Sequence, residues 1–226
     1  MDLKTFLGEF IEGALFMDLD TMAVAKPSAT ASTPKYGYLG YPMIMTAAAG
    51  IELLGILVAD RYEERSQKNF KRYWKNYLYP SGPKRDVAEA VYSLARCGIT
   101  HNYAGKAPTI SKSGEHLVRV GDIVQIDAVQ LATDLKESYF RQIRPIVDGT
   151  PSGDVTAKTM AKRLDDMLKA HNKEYKEHKA AFDALDAAAA RPATTVASTA
   201  TSLAVPPTGS AIASSIPTIM TTSSPK

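Results

Sequence analysis

The sequence has a single cysteine, Cys97, among its 226 residues. One thiol excludes an intramolecular disulfide and a zinc site built from several cysteines. A reducing, cytoplasmic compartment fits this composition. The four histidines do not form a metal set, because His116 falls on a predicted strand, and His171 and His178 would lie about 10 Å apart on one helix. We therefore expect neither a metal nor another cofactor.

The sequence also lacks a strong charge excess and an uninterrupted hydrophobic span. Its 27 basic and 24 acidic residues give a net charge of +3, which by itself does not indicate a nucleic-acid partner. Acidic residues interrupt the apolar N-terminus, so no secretory signal is expected. The longest apolar run, 41–58, carries Glu52 in its middle and reaches only the lower length limit of a membrane span. We expect a buried core helix there and no membrane partner.

Hydrophobic residues make up 45% of the chain and charged residues 23%, which is ordinary for a soluble globular protein. Helical spacing predicts a mainly α protein, with helices at 3–19, 42–60, 61–79, 85–103, 128–147 and 155–190. Short β-branched segments predict a small inserted antiparallel β-meander at about 109–127, with strands at 109–112, 116–120 and 123–127. The expected organisation is an N-terminal amphipathic helix at 1–23, a linker at 24–41, a helical domain at 42–150, a polar helix at 151–190 and a disordered Ala/Ser/Thr/Pro-rich tail at 191–226.

Aromatic and basic residues alternate through 61–79. The aromatic residues on one helical stripe are Phe70, Tyr73, Trp74 and Tyr77, and Lys68 lies among the neighbouring cations. Such a pattern is typical of a stripe that packs into a core while its Lys and Arg side chains stay solvated. It also occurs where cations contact phosphates and aromatic rings stack on bases. In that second interpretation the RNA-binding candidates are Lys71, Arg72, Trp74 and Lys75.

The segment 85–103 predicts a helix that ends in a polar cluster: Arg96, Thr100, His101, Asn102 and Tyr103. On an unbroken helix the side chains of Arg96 and His101 would point about 140° apart. Gly98 lies between them and permits the chain to bend, which would bring the two side chains together. A two-fold dimer is another route, because a symmetric interface repeats the same residues on both sides.

This Arg-x4-His pattern resembles the HEPN family of helical proteins, in which an Arg is followed four to six residues later by a His at a helix end. The resemblance covers the motif and, more loosely, a helical arrangement over about 42–147. It implies a HEPN-like helical bundle and a metal-independent endoribonuclease of a toxin–antitoxin or antiphage system, with its site at a homodimer interface. Arg96 would bind the scissile phosphate and His101 would be the general acid/base. Cys97 stands where catalytic members often have a polar residue, commonly Asn.

A structural alternative exists for the same residues. Arg96 would pair with a buried carboxylate, for which Glu52 is the candidate, and His101 would cap the helix C-terminus. If Glu52 meets Arg96 in the catalytic interpretation, it would orient the guanidinium. Glu52, Thr100, Asn102 and Tyr103 are the supporting residues of the candidate site. Three functions stay open: a ribonuclease, a non-catalytic HEPN-like module that binds RNA, nucleotide or a protein partner, and a structural interaction protein.

Overall fold

The computed structural model describes residues 1–26, 39–62, 65–97, 108–112, 114–120 and 123–189. Within these ranges the chain forms seven helices and three short strands, so the expected mainly helical class with a small sheet is confirmed. Met1–Lys179 form one compact unit. The second unit is Ala180–Lys226, of which 180–189 are described and helical. Most of the predicted linker and the whole predicted tail lie outside the described residues.

The helices and strands are numbered in chain order. The first helices are α1 (Leu3–Phe6, Leu7–Leu15 and Phe16–Val24), α2 (Gly40–Leu57) and α3 (Ser66–Tyr73 and Trp74–Leu78). They are followed by α4 (Pro83–Asp86), α5 (Ala88–Val91 and Tyr92–Cys97), β1 (Pro108–Ser111), β2 (Val118–Val120) and β3 (Ile123–Asp127). The last helices are α6 (Ala128–Ser138, Tyr139–Ile143 and Arg144–Val147) and α7 (Ala157–Ala189). The second segments of α1, α3, α5 and α6 have the wider π-helical turn.

Helix α2 lies at the centre of the fold, because α1, α3, α5, α6 and β1 all pack against it. A helix surrounded in this way buries apolar side chains on several faces rather than on one stripe. Ten of its 18 residues are buried, and Ile51 and Leu54 have no exposed surface. The helix is long and apolar enough to cross a membrane by composition. The surroundings that the structure gives it are those of a core helix.

Helices α2 and α3 approach each other most closely at Gly55. A Cβ atom placed on Gly55 would lie 2.1 Å from the carbonyl oxygen of Asn69, far inside the van der Waals contact distance. Asn69 is itself 1% exposed, so neither backbone has free space into which to move. The absence of a side chain at Gly55 therefore sets the position of α3, including the charged face that α3 turns outward.

The three strands form a mixed sheet in the order β1-β3-β2, not the predicted antiparallel meander. β1 pairs parallel with β3, with Ile110 opposite Ile126, and β2 pairs antiparallel with β3. The prediction of pairing order was wrong because strand spacing carries no information on which strand takes the centre. β3 carries the buried Ile126 and Asp127, whereas β2 has an exposed Arg119 and suits an edge.

One carboxylate, that of Asp127, joins the sheet to the helices. Its Oδ1 accepts a hydrogen bond from the backbone N–H of Gln130 at 2.8 Å and so caps α6. Its Oδ2 accepts from the backbone N–H of Gly114 at 2.9 Å and from the hydroxyl of Ser111 at 3.4 Å. Asp127 is 4% exposed, so these bonds compensate the burial of its charge.

The last helix, α7, packs through its first turns. Met160, Leu164 and Met167 are buried, whereas residues 171–180 are all exposed. Within residues 157–179, the narrow apolar stripe predicted for this helix therefore contacts the core only near the start of the helix.

Candidate functional site

The predicted Arg96–His101 site falls on the edge of the described structure. The backbone of Arg96 belongs to Tyr92–Cys97 in α5. Its side chain, and the whole of 98–107 with Thr100, His101, Asn102 and Tyr103, lie outside the described residues. Their convergence on one site stays a prediction.

Helix α5 packs against both α2 and α3. The backbone of Arg96 therefore lies in the layer next to α2, on which Glu52 is half-buried. The predicted contact between Glu52 and Arg96 involves a side chain outside the described residues, so it also stays a prediction.

A second group of sequence candidates does come together. One shallow, open cavity of about 390 Å³ is lined by six residues, which we call the basic face: Lys68, Lys71, Arg72, Lys75, Asn76 and Arg85. Five of the six are cations. The α3 members recur at helical spacing and so project from one side of the helix. Arg85 comes from α4, after the turn at Gly82 (φ +77°) has reversed the chain.

Both arginines of the basic face are held by backbone and side-chain acceptors. Nη1 of Arg72 donates to Oδ1 of Asn69 at 2.9 Å and to the carbonyl oxygen of Gly55 at 3.4 Å. Nε of Arg85 donates to the carbonyl oxygen of Lys75 at 3.3 Å. These hydrogen bonds fix the orientation of each guanidinium in the unbound protein. The side chains therefore lose less conformational entropy when a ligand binds.

Within the basic face, Lys71 has an acidic partner, Glu89. Nζ of Lys71 lies 3.4 Å from Oε2 of Glu89, and Nε2 of Gln67 donates to Oε1 of the same carboxylate at 3.4 Å. Glu89 is 68% exposed, so this pair contributes little to stability. Its effect on the basic face is to offset one positive charge.

The aromatic stripe of α3 is part of the core, which confirms the packing alternative. Trp74 and Tyr73 have no exposed surface, and Phe70 is 1% exposed. Nε1 of Trp74 donates to the carbonyl oxygen of Lys84 at 2.8 Å. Trp74 is therefore not available to stack on a base, and its place among the RNA-binding candidates was wrong. The reason is that the indole satisfies its one donor internally while its rings fill the core.

A partly buried polar cluster that the sequence did not indicate forms where α4 approaches α6: Tyr79, Lys84, His116 and Asp134. The hydroxyl of Tyr79 donates to Oδ2 of Asp134 at 2.5 Å and lies 2.9 Å from Nε2 of His116. Nζ of Lys84 lies 4.0 Å from Oδ2 of Asp134. His116 precedes β2, which begins at Val118, so its predicted place on a strand was wrong.

The environment of this cluster keeps Tyr79 and His116 uncharged at neutral pH. Burial, and then the bond to Asp134, raise the pKa of Tyr79 far above its ordinary value. Burial, and then the field of Lys84, lower the pKa of His116 to about 4. The side chain of His116 is 5% exposed, and its Nδ1 forms no hydrogen bond within the described residues. The cluster connects the segment before β2 to α6, because the hydroxyl of Tyr79 contacts both His116 and Asp134.

Sequence reasoning missed Arg85 and this polar cluster for the same reason. Tyr79 and Asp134 are 55 residues apart, and no local spacing links them. Arg85 is separated from Lys75 by a turn, and the Pro80–Pro83 segment was the available signal that the chain reverses there.

Two further features bear on chemistry. A groove of about 680 Å³ between α1, α2 and α6 has a mostly apolar floor that includes Met43, Ala132 and Phe140. The ion pair of Lys136 with Asp20, at 2.7 Å, lies at its rim. Among the described residues, no group of three or more His, Cys, Asp or Glu side chains is placed to hold a metal ion.

Comparison with models of known protein families, with curated proteins and with solved structures gives no match for this chain.

Proposed function

We propose that this protein binds RNA through the basic face and cleaves it without a metal, as a HEPN-like endoribonuclease that acts as a homodimer. The observation that carries the binding part is the grouping of five cations around one open cavity. Among the described residues that line this cavity, none is acidic. Cations grouped in this way attract the phosphate backbone of a nucleic acid and release its counterions on binding.

The basic face suits phosphates rather than bases. Its one uncharged member is Asn76, and the buried aromatic rings of the same helix, including Trp74, belong to the core. Contacts to phosphates fix the position of a nucleic acid but carry no direct sequence information. Binding at this face is therefore expected to depend strongly on salt and weakly on RNA sequence.

The course of α5 supports the cleavage part. Arg85 contacts Lys75 near the end of α3. Glu89, four residues further along the chain, contacts Lys71 and Gln67, which lie nearer the start of α3. Helix α5 therefore continues from α4 back along α3, in the opposite direction. An RNA strand held on the basic face and extending toward the start of α3 would approach the end of α5 that carries Arg96. There the guanidinium would stabilise charge on the scissile phosphate, and the imidazole of His101 would transfer the proton of the 2′-hydroxyl.

The binding part is tested with two double variants of equal charge change. Lys75→Ala/Arg85→Ala removes two cations of the basic face, and Lys158→Ala/Lys162→Ala removes two exposed lysines of α7. Fluorescence anisotropy with a labelled RNA should show a loss of affinity of at least about tenfold for the first variant and little change for the second. Equal losses in the two variants would mean that binding follows net charge alone and would contradict a specific face.

The cleavage part is tested by incubating RNA with the purified protein in EDTA, beside Arg96→Ala and His101→Ala variants. The expected result is cleavage by the wild type, with cyclic phosphate ends, and none by either variant. Binding without cleavage, with all three proteins folded, would support the non-catalytic RNA-binding module and reject the ribonuclease.

A further inference from the structure

Apolar side chains stay exposed around the groove of about 680 Å³ between α1, α2 and α6. Phe140 on α6 is 50% exposed, and Met17 and Val24 on α1 are 62% and 76% exposed. Met17 lies three residues before Asp20 and Val24 four residues after it, so both project from the side of α1 that lines the groove. Exposed apolar side chains grouped around a concave surface indicate an interaction site.

The rim of the groove carries charges of both signs. Lys136 and Asp20 pair with each other there at 2.7 Å. Glu137 and Arg141 also line the groove, and both are exposed, four residues apart on α6. Within the described part of the chain, neither of these two side chains has a hydrogen bond or an ion pair. One carboxylate and one guanidinium are therefore available to a partner.

This pair of opposite charges favours a second copy of the chain as that partner. A ligand with charge of one sign would be attracted by one of the two residues and repelled by the other. A second copy offers both signs in the reverse order when two α6 helices lie antiparallel about a two-fold axis near residue 139. Glu137 of one copy is then opposite Arg141 of the other copy, and symmetry repeats the pair.

We infer that two copies of this chain associate through the groove between α1, α2 and α6, with their α6 helices antiparallel. Phe140 of each copy contacts the apolar surface of the other copy, and the two Glu137–Arg141 pairs fix the alignment. Burial of apolar surface supplies most of the free energy of such an interface, and the charges supply its specificity. This inference rests on the homodimer of the proposed function and names the surface that holds it.

The test is sedimentation velocity of the full chain with single charge reversals. Glu137→Arg places cations opposite cations across the interface, and Arg141→Glu places carboxylates opposite carboxylates. Each variant alone should associate at least about tenfold more weakly than the wild type. An equimolar mixture of the two variants should associate about as tightly as the wild type, because every charge then faces its opposite. Phe140→Ser should weaken association and should not be rescued by either charge variant.

The matched controls are Glu177→Arg and Lys173→Glu, which reverse the same charges four residues apart on the exposed part of α7. Both should associate like the wild type, alone and mixed. Circular dichroism confirms that each variant is folded.

The outcomes separate this inference from the proposed function. A wild-type dimer that none of the α6 substitutions weakens would overturn the inference and leave the homodimer intact. Folded α6 charge variants that stay weak when mixed would overturn the antiparallel pairing of Glu137 with Arg141. A wild type that is monomeric at every concentration measured would overturn the inference and the homodimer together, and RNA binding would still be decided by anisotropy.

Discussion

The buried His116 gives the fold a defined dependence on acid. Nε2 of the imidazole lies 2.9 Å from the hydroxyl of Tyr79 and 3.8 Å from Oδ2 of Asp134. Burial followed by the field of Lys84 lowers the pKa of His116 from 6.5 to about 4. Asp134 and Asp127 act in the opposite direction and are outweighed. In the unfolded chain His116 regains a pKa near 6.5. Between pH 6.5 and 4 the unfolded state therefore binds more protons than the folded state, and the free energy of unfolding falls as the pH falls.

The magnitude follows from the shift. One pKa unit corresponds to about 1.4 kcal/mol, so a shift from 6.5 to about 4 removes about 3 kcal/mol of stability in acid. The loss is spread over the interval between the two values, with a slope of at most about 1.4 kcal/mol per pH unit. Above pH 6.5 this contribution is fully present, and below pH 4 it is fully lost.

The assay is urea unfolding of the wild type and of His116→Gln at several pH values from 7 to 4. Replacement of the imidazole by an uncharged amide should remove this part of the acid dependence, so the difference between the two stability curves should change by about 3 kcal/mol over that range. His178→Gln is the matched control, because His178 is exposed on α7 and its replacement should change nothing. Parallel curves for the wild type and His116→Gln would refute the reasoning.

Three further substitutions test other parts of the fold. Gly55→Ala should destabilise the protein by about 3 kcal/mol, because its Cβ would meet the carbonyl of Asn69. Trp74→Phe should lower stability by about 2 kcal/mol through loss of the bond to Lys84, and it should leave the RNA affinity of the folded protein unchanged. Asp127→Ala should lower stability by about 3 kcal/mol, because it removes the cap of α6 and leaves the backbone N–H of Gly114 without its acceptor. Each value is measured by urea unfolding at pH 7.

Each of these three predictions can be contradicted by a specific result. Gly8→Ala is the control for Gly55→Ala, since a Cβ at Gly8 meets nothing within 4 Å and should not destabilise the helix. Equal effects of the two glycine substitutions would contradict the close helix crossing. A loss of RNA affinity in folded Trp74→Phe would return the indole to the binding surface. An unchanged midpoint in Asp127→Ala would show that its three bonds do not hold the sheet on the helices.

Local periodicity predicted most of the secondary structure. The helices at 3–19, 42–60 and 155–190 have apolar residues at helical spacing, and the structure places helices there with shifts of a few residues. The pairing of the strands was beyond such reasoning. The sequence of a short strand shows alternation of apolar and polar residues but does not indicate which strand pairs with it. The parallel pairing of β1 and β3 places the buried Ile110 opposite the buried Ile126 and so depends on the tertiary packing.

The candidate site was predictable to a smaller extent. Lys71, Arg72 and Lys75 share a helix face, so their grouping follows from helical spacing, whereas Arg85 joins them through a chain reversal. The direction of Trp74 could not be fixed from the pattern. A stripe of aromatic rings beside cations is more typical of a core, but the same pattern also fits a surface on which bases stack, and only the neighbouring helices of the fold distinguish the two.

The central claim is that the cations of the basic face bind RNA through its phosphates. The most direct measurement is the RNA dissociation constant of the wild type and of Lys75→Ala as a function of salt. We expect a steep linear fall of the logarithm of affinity with the logarithm of salt concentration, and a slope smaller by about one in Lys75→Ala. An identical slope in the two proteins, or an affinity that does not respond to salt, would contradict the claim.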